Sequence, residues 1–278
     1  MSKALCFSVC SVILLCACHH PSPQTPEHSR ALLLTGQSAA TPGSKVSVGI
    51  QFEIDSGWHI YWQNPGDSGE APRLAWHLPE GVTAGALEWP TPARMTTAAG
   101  TDYGYQGTTV LLTSLQIPAS ATPGVLPIHA DLHWLVCHDV CLPQSAQLSA
   151  SIRVANNEAV NAHAGGLLQS AAERIPRPWP GNYHLDAHSF PDHFQLEFEP
   201  AEPPAKAEFF PAEVEQIDNA APQELVVGKE AKLALKKSEY LRTEPEHLKG
   251  VLVLNTKTAY RIDVPVGRTS SAGRRESK

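Results

Sequence analysis

Two cysteines carry the chemistry that this sequence offers most clearly. Cys137 and Cys141 stand in the segment His133-Trp134-Leu135-Val136-Cys137-His138-Asp139-Val140-Cys141-Leu142-Pro143, a C-x3-C spacing. A thiolate attacks a disulfide sulfur through a mixed-disulfide intermediate, and a second nearby thiol resolves it. In an extended strand four steps put the Cα atoms about 13 Å apart, whereas a disulfide needs roughly 4.4–6.8 Å. A bridged pair therefore requires a turn, most simply a hairpin tip after a strand over 128–136. Asp139 suits such a turn, and Pro143 restricts how the return strand begins. A bridge closing so short a loop constrains the unfolded chain by only about 2 kcal/mol, against nearly 5 for a 100-residue loop. The pair is a poor staple and a good exchange site. Two other readings stay open: a local hairpin clip, and a Cu(I) or Zn(II) site joining the thiolates to His133, His138 or Asp139. Against metal stand only two Met and no second CxxC-like element. A positive His138 favours the thiolate and an ionised Asp139 opposes it; turn chemistry accounts for both residues equally well. No GxSxG elbow, phosphate-cradling glycine loop or HExxH is present, so hydrolase, nucleotide and zincin chemistry have no anchor.

The other four cysteines lie in the first 18 residues. Met1-Ser2-Lys3 precedes an apolar stretch over 4–17 that is too short to span a bilayer comfortably and fits an export signal. Leu15-Cys16-Ala17-Cys18 resembles a bacterial lipobox, which makes 1–17 a lipoprotein-type signal and Cys18 the lipidation site. The alternative is ordinary signal cleavage with Cys18 left as a stray thiol. Residues 18–29, beginning His19-His20-Pro21-Ser22-Pro23 after the cysteine, form a flexible tether. Cys6, Cys10 and Cys16 leave with the signal, so Cys137 and Cys141 alone remain for the mature fold, in a compartment that permits disulfides.

The elements that must position this pair are strands. The chain has 278 residues, 42% hydrophobic and 18% charged, with 24 Pro and 19 Gly. That composition excludes wholesale disorder and argues against a helical bundle. The net charge of −7 and the lack of a basic cluster before the last few residues argue against nucleic acid. No apolar run beyond the N-terminus approaches the roughly 20 residues of a membrane span. Val46, Val48, Ile50, Phe52 and Ile54 alternate with smaller or polar residues, marking a strand with one buried face. Further strand patterns cover 109–115, 128–136 and 146–154, with breaks at Asn64-Pro65-Gly66-Asp67 and Thr122-Pro123-Gly124. Short strands with such breaks suggest a β-sandwich over 30–155. Residues 156–180 read as a short or broken helix, weakened by Gly165-Gly166 and stopped by a Pro-rich run. Strand patterns resume in a second, smaller β-domain over 181–267, and 268–278 reads as a disordered tail. The fold class expected is all-β.

A resemblance extends this reading. Gly57-Trp58-His59-Ile60-Tyr61-Trp62-Gln63-Asn64-Pro65-Gly66-Asp67-Ser68-Gly69, Trp89-Pro90, Asp102-Tyr103-Gly104-Tyr105-Gln106-Gly107 and Trp134-Leu135-Val136-Cys137…Cys141-Leu142-Pro143 form an ordered series. Together they resemble the N-terminal periplasmic region of the DsbD/ScsB thiol:disulfide interchange proteins, with the ScsB-like branch the nearer. Phe209-Phe210-Pro211…Ala220-Ala221-Pro222 resembles the second β-domain of ScsB-type proteins. The resemblance implies an immunoglobulin-like sandwich that passes reducing equivalents to thioredoxin-fold periplasmic proteins, without a cofactor. It implies that Cys141 forms the mixed disulfide with partners, that Cys137 resolves it, and that the two form a redox disulfide. It also implies location at the periplasmic face of a bacterial membrane, lipid-anchored, or soluble in the periplasm if Cys18 is not acylated. Two departures are expected to matter: the C-x3-C spacing is tighter than in the best-known DsbD domains, and the electron-conducting membrane domain and thioredoxin domain are absent. A separate membrane electron-transfer protein is then the expected donor, the alternative being that the pair runs in the oxidising direction. Copper tolerance, associated with ScsB-like proteins, keeps a metal-binding module as the alternative.

Around the pair, Asp102-Tyr103-Gly104 match part of the family's cap. Tyr103 and Tyr105 offer rings to cover sulfur and Gly104 a hinge; the competing reading makes both tyrosines ordinary strand-edge aromatics. Trp58, Tyr61 and Trp62 either wall the cysteines or fill the sandwich core, and Trp134 is expected among the surroundings of the pair. His138 and Asp139 complete the expected surroundings.

Overall fold

The computed structural model describes residues 27–98 and 100–268. The expected signal, Cys18 with most of the expected tether, and the expected tail beyond 268 lie outside the described residues. In chain order the first part holds β1 (Ser29–Thr35), β2 (Gln37–Ala40), β3 (Lys45–Ile54), β4 (Ile60–Gly66), β5 (Arg73–His77), β6 (Thr83–Ala84), β7 (Ala93–Thr97), β8 (Gly100–Tyr105), β9 (Thr108–Gln116), β10 (Gly124–Cys137) and β11 (Cys141–Val154). Then come β12 (Ala159–Val160), α1 (Ala162–Ala172) and β13 (Arg177–Pro178). The second part holds β14 (Leu185–Ser189), β15 (His193–Phe198), β16 (Ala207–Pro211), β17 (Glu224–Val227), β18 (Ala231–Lys236), β19 (His247–Leu254) and β20 (Thr258–Arg268). The described residues are all-β apart from this helix and irregular segments. No described helix is long and apolar enough to cross a membrane.

Two sheets, ordered β1-β3-β9-β6 and β12-β2-β11-β10-β5, pack into an immunoglobulin-like sandwich. Period-two alternation on β3 and β10 sends Ile50 and Phe52 inward to meet Leu132 and Trp134 in one core. Phe52 and Trp134 meet edge-on at 5.6 Å, and the Trp134 indole N–H donates to Ser29 Oγ at 2.8 Å. Trp134 is thus a core residue. The one-buried-face expectation for β3 is corrected. Gly49 and Gln51 on the other face are also buried, and a Cβ at Gly49 would stand 2.4 Å from Leu168 Cδ2 of α1. The helix covers the outside of this sheet with Leu168 and Ala171 against Val110 and Leu112. Nor is α1 broken: Asn161 caps it through Ala164 N, and it runs through Gly165 and Gly166.

A third sheet, β4-β8-β7, flanks the sandwich. The expected break at Asn64-Pro65-Gly66 is instead a bulge in β4, where the register with β8 shifts between Tyr61 and Gly66. The second part is an eight-stranded sheet that turns about its own core of Phe194, Leu196, Phe198, Phe209, Leu233 and Leu252. Adjacent residues on β16 serve two cores. Phe209 enters the core of the second sheet, and Phe210 enters that of the sandwich. The two parts therefore meet through buried apolar surface, with β7 and β8 between them.

Candidate redox site

β10 and β11 are one long antiparallel hairpin whose last register pair is Cys137 with Cys141. The tip is the three residues between, closed by His138 N donating to Val140 O at 3.2 Å. This turn brings the Cα atoms to 4.2 Å, and the sulfurs are joined in a disulfide. Cys137 is fully buried while Cys141 is exposed. The difference follows from strand pairing. Cys137 exchanges two backbone hydrogen bonds of 2.9 Å with His59, which seats it against the segment leading into β4. Cys141 begins the return strand on the open side. Of the two cysteines, Cys141 is the one exposed to an incoming thiolate.

Tyr61 supplies the polar group at the sulfurs. Its hydroxyl donates to Cys137 Sγ at 3.1 Å and lies 3.5 Å from Cys141 Sγ. Burial raises its pKa, outweighing a lowering contact from Ser68, and the Asp102 carboxylate adds to the rise. The phenol therefore stays protonated and able to donate. Gly69 lets the next loop lie flat on this ring. Its φ is +76°, and a Cβ there would fall 2.0 Å from Tyr61 Cζ. Ser68 Oγ is 3.4 Å from the Tyr61 hydroxyl and donates to both Asp102 oxygens at 2.9 Å. Asp102 is buried and also accepts from Ser68 N at 3.0 Å and Thr97 Oγ1 at 3.1 Å. A polar line thus runs from Cys137 sulfur through Tyr61 and Ser68 to Asp102.

His59 lies behind this line, its Nε2 3.9 Å from Asp102 Oδ2 and without a hydrogen-bond partner. Burial lowers its pKa below the ordinary 6.5; Asp102 opposes this shift and His138 adds to it. The imidazole is neutral at neutral pH. At the tip, His138 Nδ1 and Asp139 Oδ2 pair with each other at 3.0 Å, both exposed. The His138 ring sits 5.8 Å from Trp58, and His28 stacks on the same indole at 3.9 Å.

Three expectations are corrected. Tyr103 does not lie over the sulfurs. It is fully buried at the seam between the two parts, where its hydroxyl donates to Asn219 Oδ1 at 2.9 Å and its ring meets Phe210 edge-on at 5.3 Å. On a strand, neighbours point to opposite faces, so Asp102 facing Ser68 commits Tyr103 to the other side. Gly104 is no hinge. It is paired with Tyr61, and a Cβ would stand 2.0 Å from the Ile60 carbonyl oxygen, so the residue permits a close backbone approach. Trp134 belongs to the core rather than to the sulfurs' surroundings. Tyr61, His138 and Asp139 stand at the disulfide, and Asp102 is linked to it through Ser68 and Tyr61. Ser68, Gly69 and His59 also reach this site, and all three lie in the same 57–69 stretch as Tyr61.

Among the described residues no group of three or more His, Cys, Asp or Glu side chains could hold a metal ion. A crevice of about 1190 Å³ runs between the sandwich, α1 and the second part, and Trp62 lines it while neither cysteine does.

A family model described as thiol:disulfide interchange protein DsbD, N-terminal, matches residues 30–152. Among solved structures the chain is similar to the N-terminal periplasmic domain of ScsB from Proteus mirabilis. The identity is 14% and the TM-score 0.65, over 90% of this chain and 97% of that one. This likeness shows a shared fold that extends beyond the sandwich into the second part. A protein of unknown function from Porphyromonas gingivalis W83 aligns over 86% of this chain and 99% of its own at 10% identity, with a TM-score of 0.28, too low to bear on the fold. No curated protein matches the sequence significantly.

Proposed function

Residues 30–152 belong to the DsbD N-terminal thiol:disulfide interchange family, and from that premise we propose that the protein is a periplasmic dithiol carrier that reduces thioredoxin-fold partners. The observation that carries this reading is the asymmetry of the disulfide, with Cys141 exposed and Cys137 buried against the Tyr61 hydroxyl. In the reduced protein the Cys141 thiolate attacks a partner disulfide. A Cys141–partner bond forms, and one partner sulfur leaves as a thiol after taking a proton. The Cys137 thiolate then attacks Cys141 Sγ, closing the internal disulfide and releasing the second partner thiol. Two electrons pass to the partner and the carrier is oxidised. A separate membrane protein bearing a reduced dithiol recharges it by the same steps reversed, with attack on Cys141 and Cys137 leaving as a thiolate. The Tyr61 hydroxyl stabilises that leaving thiolate, because a charge-assisted hydrogen bond is roughly twice as strong as a neutral one.

Export and acylation at Cys18 belong to the same reading. His28 stacks on Trp58 beside the tip, so the described residues begin next to the redox end. Nine steps from Cys18 to Glu27 span at most about 32 Å. An acyl anchor would hold the disulfide close to the membrane that houses its donor.

The test is trapping in cells with the tagged full chain. Cys137→Ala should accumulate a mixed disulfide between Cys141 and a thioredoxin-fold protein, and Cys141→Ala should accumulate far less. Equal trapping by both variants, or by neither, would overturn the mechanism. Mass spectrometry of the mature N-terminus should find an acylated Cys18; an unmodified terminus would remove the anchor alone.

A further inference from the structure

The loop that shapes the redox site is tied to the second β-domain at two points: Asn64 Nδ2 donates to Pro211 O at 2.8 Å and Glu213 O at 3.1 Å just before the loop, and Asn219 holds Asp67 within it. Ser68 and Gly69, which touch the Tyr61 hydroxyl and ring, follow Asp67. Asp67 is fixed three times: its N–H donates to Thr101 O at 3.0 Å, its Oδ2 accepts from Thr101 N at 2.7 Å, and its Oδ1 accepts from Asn219 Nδ2 at 2.7 Å. Asn219 is buried, its Oδ1 accepts the Tyr103 hydroxyl at 2.9 Å, and its backbone carbonyl accepts from Arg94 Nη1 at 2.6 Å. Arg94 in turn pairs with Glu208 at 2.7 Å. An amide can donate to a carboxylate and accept from a phenol at once. At neutral pH an Asp in this place could accept the phenol but would set two carboxylates against each other.

We propose that Asn219 is a positioning residue for the Cys137–Cys141 disulfide, so that the second β-domain sets the reactivity of the redox pair by locking the Asp67–Gly69 loop against Tyr61. The proposal rests on the exchange reading for its biological meaning and on the contacts above for its physics. A loop free to drift takes Ser68 and Gly69 off Tyr61, and the phenol then meets the leaving Cys137 sulfur for a smaller fraction of the time. Both reduction of the disulfide and its equilibrium with a thiol buffer should respond.

The experiment measures, on the full mature chain, the rate of reduction by glutathione and the position of the glutathione equilibrium. Asn219→Asp should slow reduction by about threefold to tenfold, within the range that substitutions along a connected network of contacts produce. The double exchange Asp67→Asn with Asn219→Asp keeps net charge and reverses the polarity of the same hydrogen bond. It should return the rate to within about twofold of the parent, on the same scale of coupling. A wild-type rate in folded Asn219→Asp overturns the proposal. So does a double variant whose thermal stability recovers while its rate does not, since that marks a merely structural role. Should Asn219→Asp not fold, Asn219→Ser cannot reach Asp67 and should show the same slowing, a parent-like rate again overturning the proposal. Any disulfide reacts with a small thiol, so this outcome is separate from the trapping experiment. Absence of a trapped partner would remove the exchange function and leave the rate difference standing.

Discussion

The two faces of β8 do opposite work. On one face Asp102 is surrounded by hydroxyls and amides that lead, through Ser68 and Tyr61, to a sulfur. On the other, Tyr103 is packed between Trp62 and Phe210 and tied to Asn219. Both residues are buried, and both are polar enough to serve a redox site. The difference lies in what covers them. The Asp102 face is closed by the short loop at Ser68–Gly69, beyond which lies the exposed tip; the Tyr103 face is closed by a whole domain. Burial alone therefore does not mark a residue as catalytic. The face that ends in an exposed sulfur does the chemistry, and the face that ends in a second core holds it still.

The largest effect expected from breaking this division is on stability. Tyr103→Ala removes a fully buried ring from the seam and should cost about 3–5 kcal/mol, read as a fall in the denaturation midpoint. Alkylation of reduced Cys141 should not speed up in the folded variant, because that sulfur is already exposed. A stable Tyr103→Ala protein with faster alkylation would restore the lid reading. The next effect is on rate. Tyr61→Phe keeps the ring on Gly69 and deletes only the hydroxyl at Cys137. It should slow reduction by a small thiol about tenfold or more, as befits a hydrogen bond to a charged group worth about 1.5–3 kcal/mol. Its unfolding midpoint should move little, and a parent-like rate would detach Tyr61 from the chemistry.

The smallest effect is a pH dependence. His59 is held below its ordinary 6.5 by burial, so the unfolded chain takes up its proton first as pH falls. The stability that neutral His59 contributes is present above 6.5 and is lost progressively below it. Between pH 7 and about pH 5 the parent should lose stability more steeply than His59→Gln. Identical slopes would show that the buried imidazole titrates as if exposed.

Much of this was legible in the residues. The C-x3-C spacing demands a turn if bridged, and the hairpin supplies one. Alternation on β3 and β10 identifies the core, and the ordered motifs point to the sandwich. What the sequence does not carry is which face of a strand meets which neighbour. Asp102-Tyr103-Gly104 reads equally well as a lid or as a seam, because period two says only that adjacent residues part company. Gly104 reads as a hinge until the Ile60 carbonyl is seen against it. Trp134 is close to Cys137 in sequence yet faces Phe52. Asn219 has no local signature at all: it is 152 residues from Asp67, and only the docking of the second part brings them together. Contacts of that range depend on tertiary packing, which propensity and spacing do not encode.

The most direct test of the central claim uses purified components. Reduced protein is mixed with an oxidised thioredoxin-fold protein, quenched with acid at short times, and mapped by mass spectrometry. Exchange through an exposed Cys141 predicts a transient bond from that residue alone to the partner, decaying to an internal Cys137–Cys141 disulfide as one equivalent of partner dithiol appears. A mixed disulfide formed chiefly through Cys137, or oxidation of the pair without reduction of the partner, would contradict it.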